Sequence, residues 1–211
     1  MPTLLFFRPA ARIALALAAT LGSFSAHAGD GRIPGNSDPV PAGVMAVPAM
    51  VSQCLGCHGP TGHSQNQDWP NLAGQKQSYL LQQLTDFRSG ARRHPMMDPV
   101  VKLLSDADLN TLAHYFSTQS PAQPRHPAAA NAKMPAAGTA CMACHDNAAL
   151  PIEPYLHAQK APYLIEQLRA FRAGKRKNAV MAPMAKSLSD QDIEAIAQHF
   201  SAQAPISAAK P

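Results

Sequence analysis

The sequence has few aromatic residues and few charges. Aromatic side chains make up 6% of the 211 residues, with a single Trp, and charged side chains make up 15%. The 18 Lys and Arg residues are scattered along the chain. A nucleic-acid-binding surface, which needs clustered cations, therefore has little support. Because 46% of the residues are hydrophobic, the chain can still bury a core, which excludes wholesale disorder.

Long apolar runs are also missing, since no stretch reaches the roughly eighteen consecutive apolar residues of a membrane-spanning helix. The apolar run from Ile13 to Leu21 is shorter, follows Arg8 and Arg12, and precedes a small-x-small tripeptide that ends at Ala28. This arrangement is typical of a cleaved secretory signal peptide over residues 1–28. We therefore expect a mature protein that is soluble and exported to the periplasm.

The second half of the chain repeats the first. Residues 75–121 align with residues 159–205 at a constant offset of 84, and 22 of the 47 positions are identical. Such self-similarity is the signature of a tandem duplication. It predicts a Pro/Gly-rich extension at 29–48, a first domain at 49–121, a linker at 122–133 and a second domain at 134–207.

Both copies have the apolar spacing of helices. Apolar residues recur at helical intervals between Tyr79 and Phe87, and Gly90 follows as a stop signal. Ser-x-x-Asp capping boxes at Ser105 and Ser189 predict a closing helix in each copy. The buried faces of these helices are predicted to hold Leu109, Leu112, Ala113 and Phe116, with counterparts Ile193, Ile196, Ala197 and Phe200. The fold class is therefore all-α.

All four cysteines lie in two C-x-x-C-H pentads, Cys54 to His58 and Cys141 to His145. This is the attachment signature of c-type haem. Two thiols about one helical turn apart can each add to a porphyrin vinyl group, and the following His then reaches the iron. Domains of roughly 70 residues also commonly need a cofactor to complete their core. We predict two covalently bound haem c groups, with thioethers to Cys54, Cys57, Cys141 and Cys144 and axial ligation by His58 and His145.

Three other uses of the cysteines remain open. A zinc site built from two CxxC pairs would not require a His after each pair. Export permits disulfides, with three possible pairings of four cysteines. Thioredoxin-like chemistry requires a βαβ context, which this sequence lacks.

Repeat symmetry narrows the second axial ligand to Met97 and Met181, which are the only equivalent methionines. Each lies two residues before a proline, in a segment without helical pattern that could fold over the haem. A thioether ligand raises the reduction potential. Met96 and Met184 are expected to pack, and His94 is an alternative ligand. Iron with both His and Met ligands has no vacant position, which indicates an electron carrier rather than an enzyme.

Several motifs together resemble the cytochrome c4 family over roughly residues 49–205. They are the two CxxCH pentads, PNLAGQ, FRSG and FRAG, the Met-x-Pro segments and LSDxDxxxxAxxF. The resemblance implies two class I cytochrome c domains around a pseudo-twofold axis, with the haem propionates near their interface. It also implies that the carbonyl of Pro70, and that of its repeat partner Pro154, accepts a hydrogen bond from the ligating His.

The family resemblance further implies redox proteins as partners. Family members carry electrons from the quinol-oxidising bc1 complex, a quinol–cytochrome c reductase, toward terminal oxidases, often loosely at the membrane. We therefore predict a respiratory electron carrier without a nucleic-acid partner or a small-molecule substrate. One alternative is a diheme subunit that accepts electrons from a dehydrogenase, as in a flavocytochrome. Another is a diheme enzyme, a peroxidase or thiosulfate dehydrogenase, which needs an open or unusually ligated iron.

Charge differs between the two halves of the mature chain. Residues 29–120 hold six basic and seven acidic residues, whereas residues 121–211 hold ten and six. Lys175, Arg176 and Lys177 supply much of the excess. Because such asymmetry steers encounters, the hypothesis is that the second domain faces an acidic redox partner.

Overall fold

Helices build both halves of the chain, and the same helices recur in each half. The structure is a computed structural model that describes residues 49–125 and 133–206, and within these residues it contains no strand. They all belong to one compact unit that runs from Met45 to Pro211. The predicted signal peptide and extension at 1–48, and most of the linker, lie outside the described residues.

The first copy holds four α-helices, and the second copy holds four with a 3-10 turn before the first. The helices of the first copy are α1 (Ala49–His58), α2 (Gln77–Ser89), α3 (Met97–Val101) and α4 (Asp106–Ser117). The second copy consists of a 3-10 helix (Ala136–Cys141), α5 (Met142–His145), α6 (Ala161–Arg172), α7 (Met181–Lys186) and α8 (Asp190–Ala202). Among the described residues, no helix is long and apolar enough to cross a membrane.

The CxxCH segment of the second copy is split into a 3-10 helix and α5, whereas α1 is continuous. Gly138 stands where the first copy has Val51, and a glycine inside a helix weakens it. Val51 is fully buried in the first core. A Cβ on Gly138 would come within 2.8 Å of the Ile196 Cγ1 atom. It would come still closer, 2.6 Å, to the Met134 sulfur, so Met134 and Ile196 occupy in the second core the space that a side chain at this position would need.

Predicted caps and buried faces are confirmed. Ser105 and Ser189 both form the capping box, each accepting a hydrogen bond from an Asp backbone N–H three residues later. Gly90 ends α2 in the left-handed conformation, with φ of 81°. The predicted core positions of α4 and α8 are all buried: Leu109, Leu112, Ala113 and Phe116, and Ile193, Ile196, Ala197 and Phe200.

The closing helices hold each domain together. In the first domain α4 packs against α1 and α2, and in the second α8 packs against the 3-10 helix and α6. Each CxxCH segment thus lies beside the core of its own domain. Cys54 and Cys141 are among the partly buried side chains that pack on the two cores.

The expectation that the methionine segments lack helix is wrong. Met97 begins α3 and Met181 begins α7, because a proline two residues later is tolerated in a first helical turn. The expected packing of the neighbouring methionines is also wrong. Met96 is 57% exposed and Met184 is 44% exposed.

Candidate haem sites

Each pentad lies in helical structure that ends at its histidine, continuous in α1 and divided between the 3-10 helix and α5 in the second copy. Cys54 and Cys57 lie one turn apart on α1, which ends at His58. All four cysteines are half-buried, and none forms a disulfide. Burial raises the pKa of Cys54 to about 11, and it also raises that of Cys141. Thioredoxin-like chemistry needs the opposite shift, so these thiols do not resemble a redox-active dithiol.

The histidines of the two pentads occupy the same environment in each domain. His58 is 8% exposed and its Nδ1–H donates to the carbonyl oxygen of Pro70 at 3.0 Å. His145 is 6% exposed and donates in the same way to Pro154 at 2.7 Å. Both hydrogen bonds implied by the family resemblance are present. The second forms although its loop spans nine residues, where the first spans twelve.

Burial lowers the pKa of His58 and His145, against an opposing effect of the prolyl carbonyls. Both rings are therefore neutral at neutral pH. With the proton on Nδ1, the lone pair of Nε2 is available to a metal. This tautomer is the one that iron ligation through Nε2 requires.

Local hydrogen bonds fix the two symmetric methionines at the start of their helices. The Met97 backbone N–H donates to the His94 carbonyl at 3.0 Å, and the His94 N–H donates to the Asp98 side chain at 2.9 Å. The Met181 N–H donates to the Asn178 side chain at 2.8 Å. Both methionines are half-buried, whereas the nearby Met96 and Met184 are exposed. The donor set in each domain fits a covalent haem c: two thiols, a neutral buried imidazole and a shielded thioether.

The described residues contain no cluster of side chains that would bind zinc at the two CxxC pairs. Across residues 49–125 and 133–206, no group of three or more His, Cys, Asp and Glu side chains is arranged to hold a metal ion.

The loops behind the histidines form a symmetric contact between the two domains. Gln75 of the first domain binds both backbone groups of Tyr155, accepting from its N–H at 3.0 Å and donating to its carbonyl at 2.9 Å. Gln159, the repeat partner of Gln75, binds Asn71 in the same two ways, both at 2.9 Å. Since Asn71 and Tyr155 are also repeat partners, the pseudo-twofold relation predicted from the family is present in the hydrogen bonds.

The following lysines reinforce this contact. Lys76 donates to the carbonyls of Asn147 and Leu150 at 2.7 and 2.6 Å. Lys160 is 4% exposed and donates to the carbonyls of Ser64 and Asn66 in the first domain. Burial lowers the pKa of Lys160 to about 8. Each lysine thus holds the loop that follows the other domain's CxxCH pentad.

A third symmetric contact joins the arginine that follows each of α2 and α6 to the other of these two helices. Arg92 donates to the Tyr163 hydroxyl at 3.2 Å and to the Gln167 side chain at 2.8 Å. Arg176 makes the same contacts with Tyr79 and Gln83. Arg176 therefore belongs to the domain interface and not to the surface charge cluster in which the sequence placed it. Lys175 and Lys177 are exposed.

These interface residues were not predicted as a site, although the repeat contained a signal for them. Gln75-Lys76 is repeated as Gln159-Lys160, and Arg92 as Arg176. Identity of polar residues between the two copies was the available sign that they share a role.

Known proteins resemble this chain over both copies. A family model for cytochrome c matches residues 47–120. Cytochrome c4 of Thiocapsa roseopersicina is 36% identical over 168 residues, which are 70% of this chain and 85% of the relative. A thiosulfate dehydrogenase electron acceptor of Stutzerimonas stutzeri is 33% identical over 207 residues, 87% of this chain and 91% of the relative. The chain also matches the crystal structure of reduced recombinant cytochrome c4 from Pseudomonas stutzeri with a TM-score of 0.62 and a sequence identity of 33%. The match covers 72% of this chain and 94% of that chain.

Proposed function

We propose, since this chain belongs to the cytochrome c4 family, that it works in the periplasm as an electron carrier of a respiratory chain. The protein is a two-haem electron-transfer protein and not an enzyme, and its haem groups are covalent haem c. The observation that carries the proposal is the duplicated site, in which each domain holds a buried histidine on a prolyl carbonyl and a shielded methionine. The signal-peptide pattern at residues 1–28 supports export.

The residues of each site have separate tasks in this proposal. Haem c supplies a reversible one-electron couple. Cys54 and Cys57 would fix one haem to the chain, and Cys141 and Cys144 the other. His58 and His145 would each bind an iron, and their hydrogen bonds to Pro70 and Pro154 orient the ring and increase its basicity. Met97 and Met181 would supply a thioether to each iron, which favours the reduced state.

An optical redox titration of the full chain, matured in a periplasm able to attach haem c, tests this assignment. We expect two covalent low-spin haems, each with the charge-transfer band between a thioether and ferric iron, and both reducible at positive or mildly positive potential. A high-spin haem, or one without that band, would contradict the Met97 or Met181 assignment. Substrate chemistry at that iron, as in a peroxidase, would then have to be considered.

The partners in this proposal are redox proteins. A quinol–cytochrome c reductase donates electrons and a terminal oxidase accepts them, with loose association at the membrane. A second candidate follows from the relative in Stutzerimonas stutzeri that is named as the electron acceptor of a thiosulfate dehydrogenase. Under that candidate the chain takes electrons from a dehydrogenase. Stopped-flow reduction by each class of donor distinguishes them, because the physiological donor reduces the protein much faster than the other.

Surface charge on the second domain gives a prediction about docking. Lys175 and Lys177 are exposed, whereas Arg176 is tied to the interface. Replacing both lysines with Glu is expected to slow electron transfer to an acidic partner by roughly threefold to tenfold at low salt, because steering scales with local charge. The effect fades at high salt, where charges are screened.

The matched control for this prediction changes Lys102 and Lys133 to Glu, which alters the net charge equally at other exposed positions. Stopped-flow rates measured over a series of ionic strengths provide the comparison. Equal rates for the two double variants, with every partner tried, would refute a docking role for Lys175 and Lys177.

A further inference from the structure

We propose that each domain helps to set the reduction potential of the other domain's haem, through Gln159 for the first haem and Gln75 for the second. The inference rests on the axial roles of His58 and His145 in the proposed function. In this scheme the two glutamines are positioning residues, because they act through a peptide group and not on the haem itself.

A single peptide group joins the first histidine to the opposite domain. The carbonyl of Pro70 and the N–H of Asn71 belong to the same planar peptide unit. His58 donates to the carbonyl end at 3.0 Å, and the N–H end donates to the Gln159 Oε1 atom at 2.9 Å. The chain of hydrogen bonds therefore runs from the imidazole of one domain to a side chain of the other.

The second histidine has the same connection. His145 donates to the Pro154 carbonyl at 2.7 Å, and the N–H of Tyr155 in that peptide donates to the Gln75 Oε1 atom at 3.0 Å. Two independent copies of one arrangement, each crossing the interface, argue against a chance contact.

Both glutamines are held in a single conformation. Gln75 and Gln159 are each 8% exposed. The Oε1 atom of Gln159 also accepts from the backbone N–H of Lys160 at 3.0 Å, and its Nε2 atom donates to the Asn71 carbonyl at 2.9 Å. A buried side chain with these hydrogen bonds is a rigid acceptor for the peptide N–H.

Polarisation of this peptide group determines whether the glutamine raises or lowers the reduction potential. An acceptor on the peptide N–H draws electron density toward the carbonyl oxygen of the same unit, which becomes a stronger acceptor. The histidine Nδ1–H then donates more strongly, the ring becomes a more basic ligand, and ferric iron is favoured. Each glutamine thus lowers the potential of the haem in the opposite domain.

Replacement of Gln159 with Ala tests the inference in the full, haem-loaded chain. We expect the potential of the His58 haem to rise, by a twofold to tenfold change in its reduction equilibrium, which is at most about 59 mV. The His145 haem is expected to stay unchanged. In the reduced protein, the Nδ1–H proton resonance of His58 is expected to move in the direction of a weaker hydrogen bond. Gln75→Ala should give the crosswise result, with the His145 haem affected.

Gln167→Ala is the matched control, because this glutamine also lies in the interface but accepts from Arg92 and Arg176 instead of a histidine-linked peptide. It should leave both potentials in place. Mere loosening of the interface admits water, which favours ferric iron and lowers potentials, so the sign separates the two explanations.

Two results would overturn the inference: unchanged potential and resonance of His58 in Gln159→Ala, or equal shifts of both haems in the Gln159 and Gln167 variants. Neither result would affect the proposed function, which depends on the haem count and the thioether bands of the unaltered chain.

Discussion

Replacing Met97 with His is expected to lower the reduction potential of the first haem by on the order of 0.2 V, within the roughly 0.8 V that axial ligands span. A soft thioether favours ferrous iron, whereas a second imidazole favours ferric iron. The thioether charge-transfer band of that haem should vanish, and the haem should stay low-spin. An optical redox titration measures both changes.

Met96, the residue before Met97, provides a control for which of these two adjacent methionines is the ligand. Met96 is 57% exposed, so Met96→Leu should leave the band and the potential unchanged. Met181→His should lower the potential of the second haem in the same way, and the exposed Met184 offers the same control there. If Met97→His kept the band and Met96→Leu lost it, Met96 would be the ligand.

Features that depend on nearby residues were predicted from the sequence. The capping boxes at Ser105 and Ser189 need only a partner three residues away. The stop at Gly90 depends on one backbone conformation that glycine adopts readily. The hydrogen bonds from His58 and His145 to prolyl carbonyls were found through family resemblance, not through spacing.

Short helices were missed because they have too few residues to show a period. Helix α3 has five residues and α7 has six, and each includes a proline in its third position. Side chains stabilise them instead: Asp98 accepts from the His94 N–H, and Asn178 accepts from the Met181 N–H. The spacing of apolar residues does not predict such local hydrogen bonds.

An interface between the domains was expected, but the residues that form it were missed for a different reason. Gln75 and Tyr155 lie 80 residues apart, and Arg176 and Tyr79 lie 97 apart. Polar side chains at the start and on the outer face of a helix ordinarily indicate solvent. Here they are covered by the second copy of the same domain. Their identity in both copies indicates a shared role, but only the way in which the two copies meet reveals that this role is the interface.

Removing the haem of one domain is expected to unfold that domain and to weaken the other. In the variant Cys54→Ala with Cys57→Ala, the first haem cannot be attached covalently. The buried side chains that pack together in that domain form a small cluster: Val51, Leu80, Leu112, Ala113, Tyr115 and Phe116. A domain of this size rarely folds on a core alone. The helical circular dichroism signal is therefore expected to fall by roughly half, because this domain holds four of the described helices.

The second domain should keep its haem but lose its contacts with the first. Gln75 makes two hydrogen bonds to Tyr155, and Lys76 makes two to the loop after His145. At about 1 kcal/mol for a net hydrogen bond, with part of the loss recovered through water, these four hydrogen bonds alone contribute roughly 2 kcal/mol of stability. The second domain is therefore expected to melt at least roughly 8 °C lower, as followed by the Soret absorbance of its own haem.

The reciprocal variant, Cys141→Ala with Cys144→Ala, shows whether the second domain also stabilises the first. Gln159 and Lys160 contact the first domain as Gln75 and Lys76 contact the second, so the first haem should report a similar fall in melting temperature. If either remaining domain melted at the temperature of the intact protein, the interface would contribute no stability. The duplication would then join two independent carriers, and the crosswise control of potential by the glutamines would have to act without any stabilising contact.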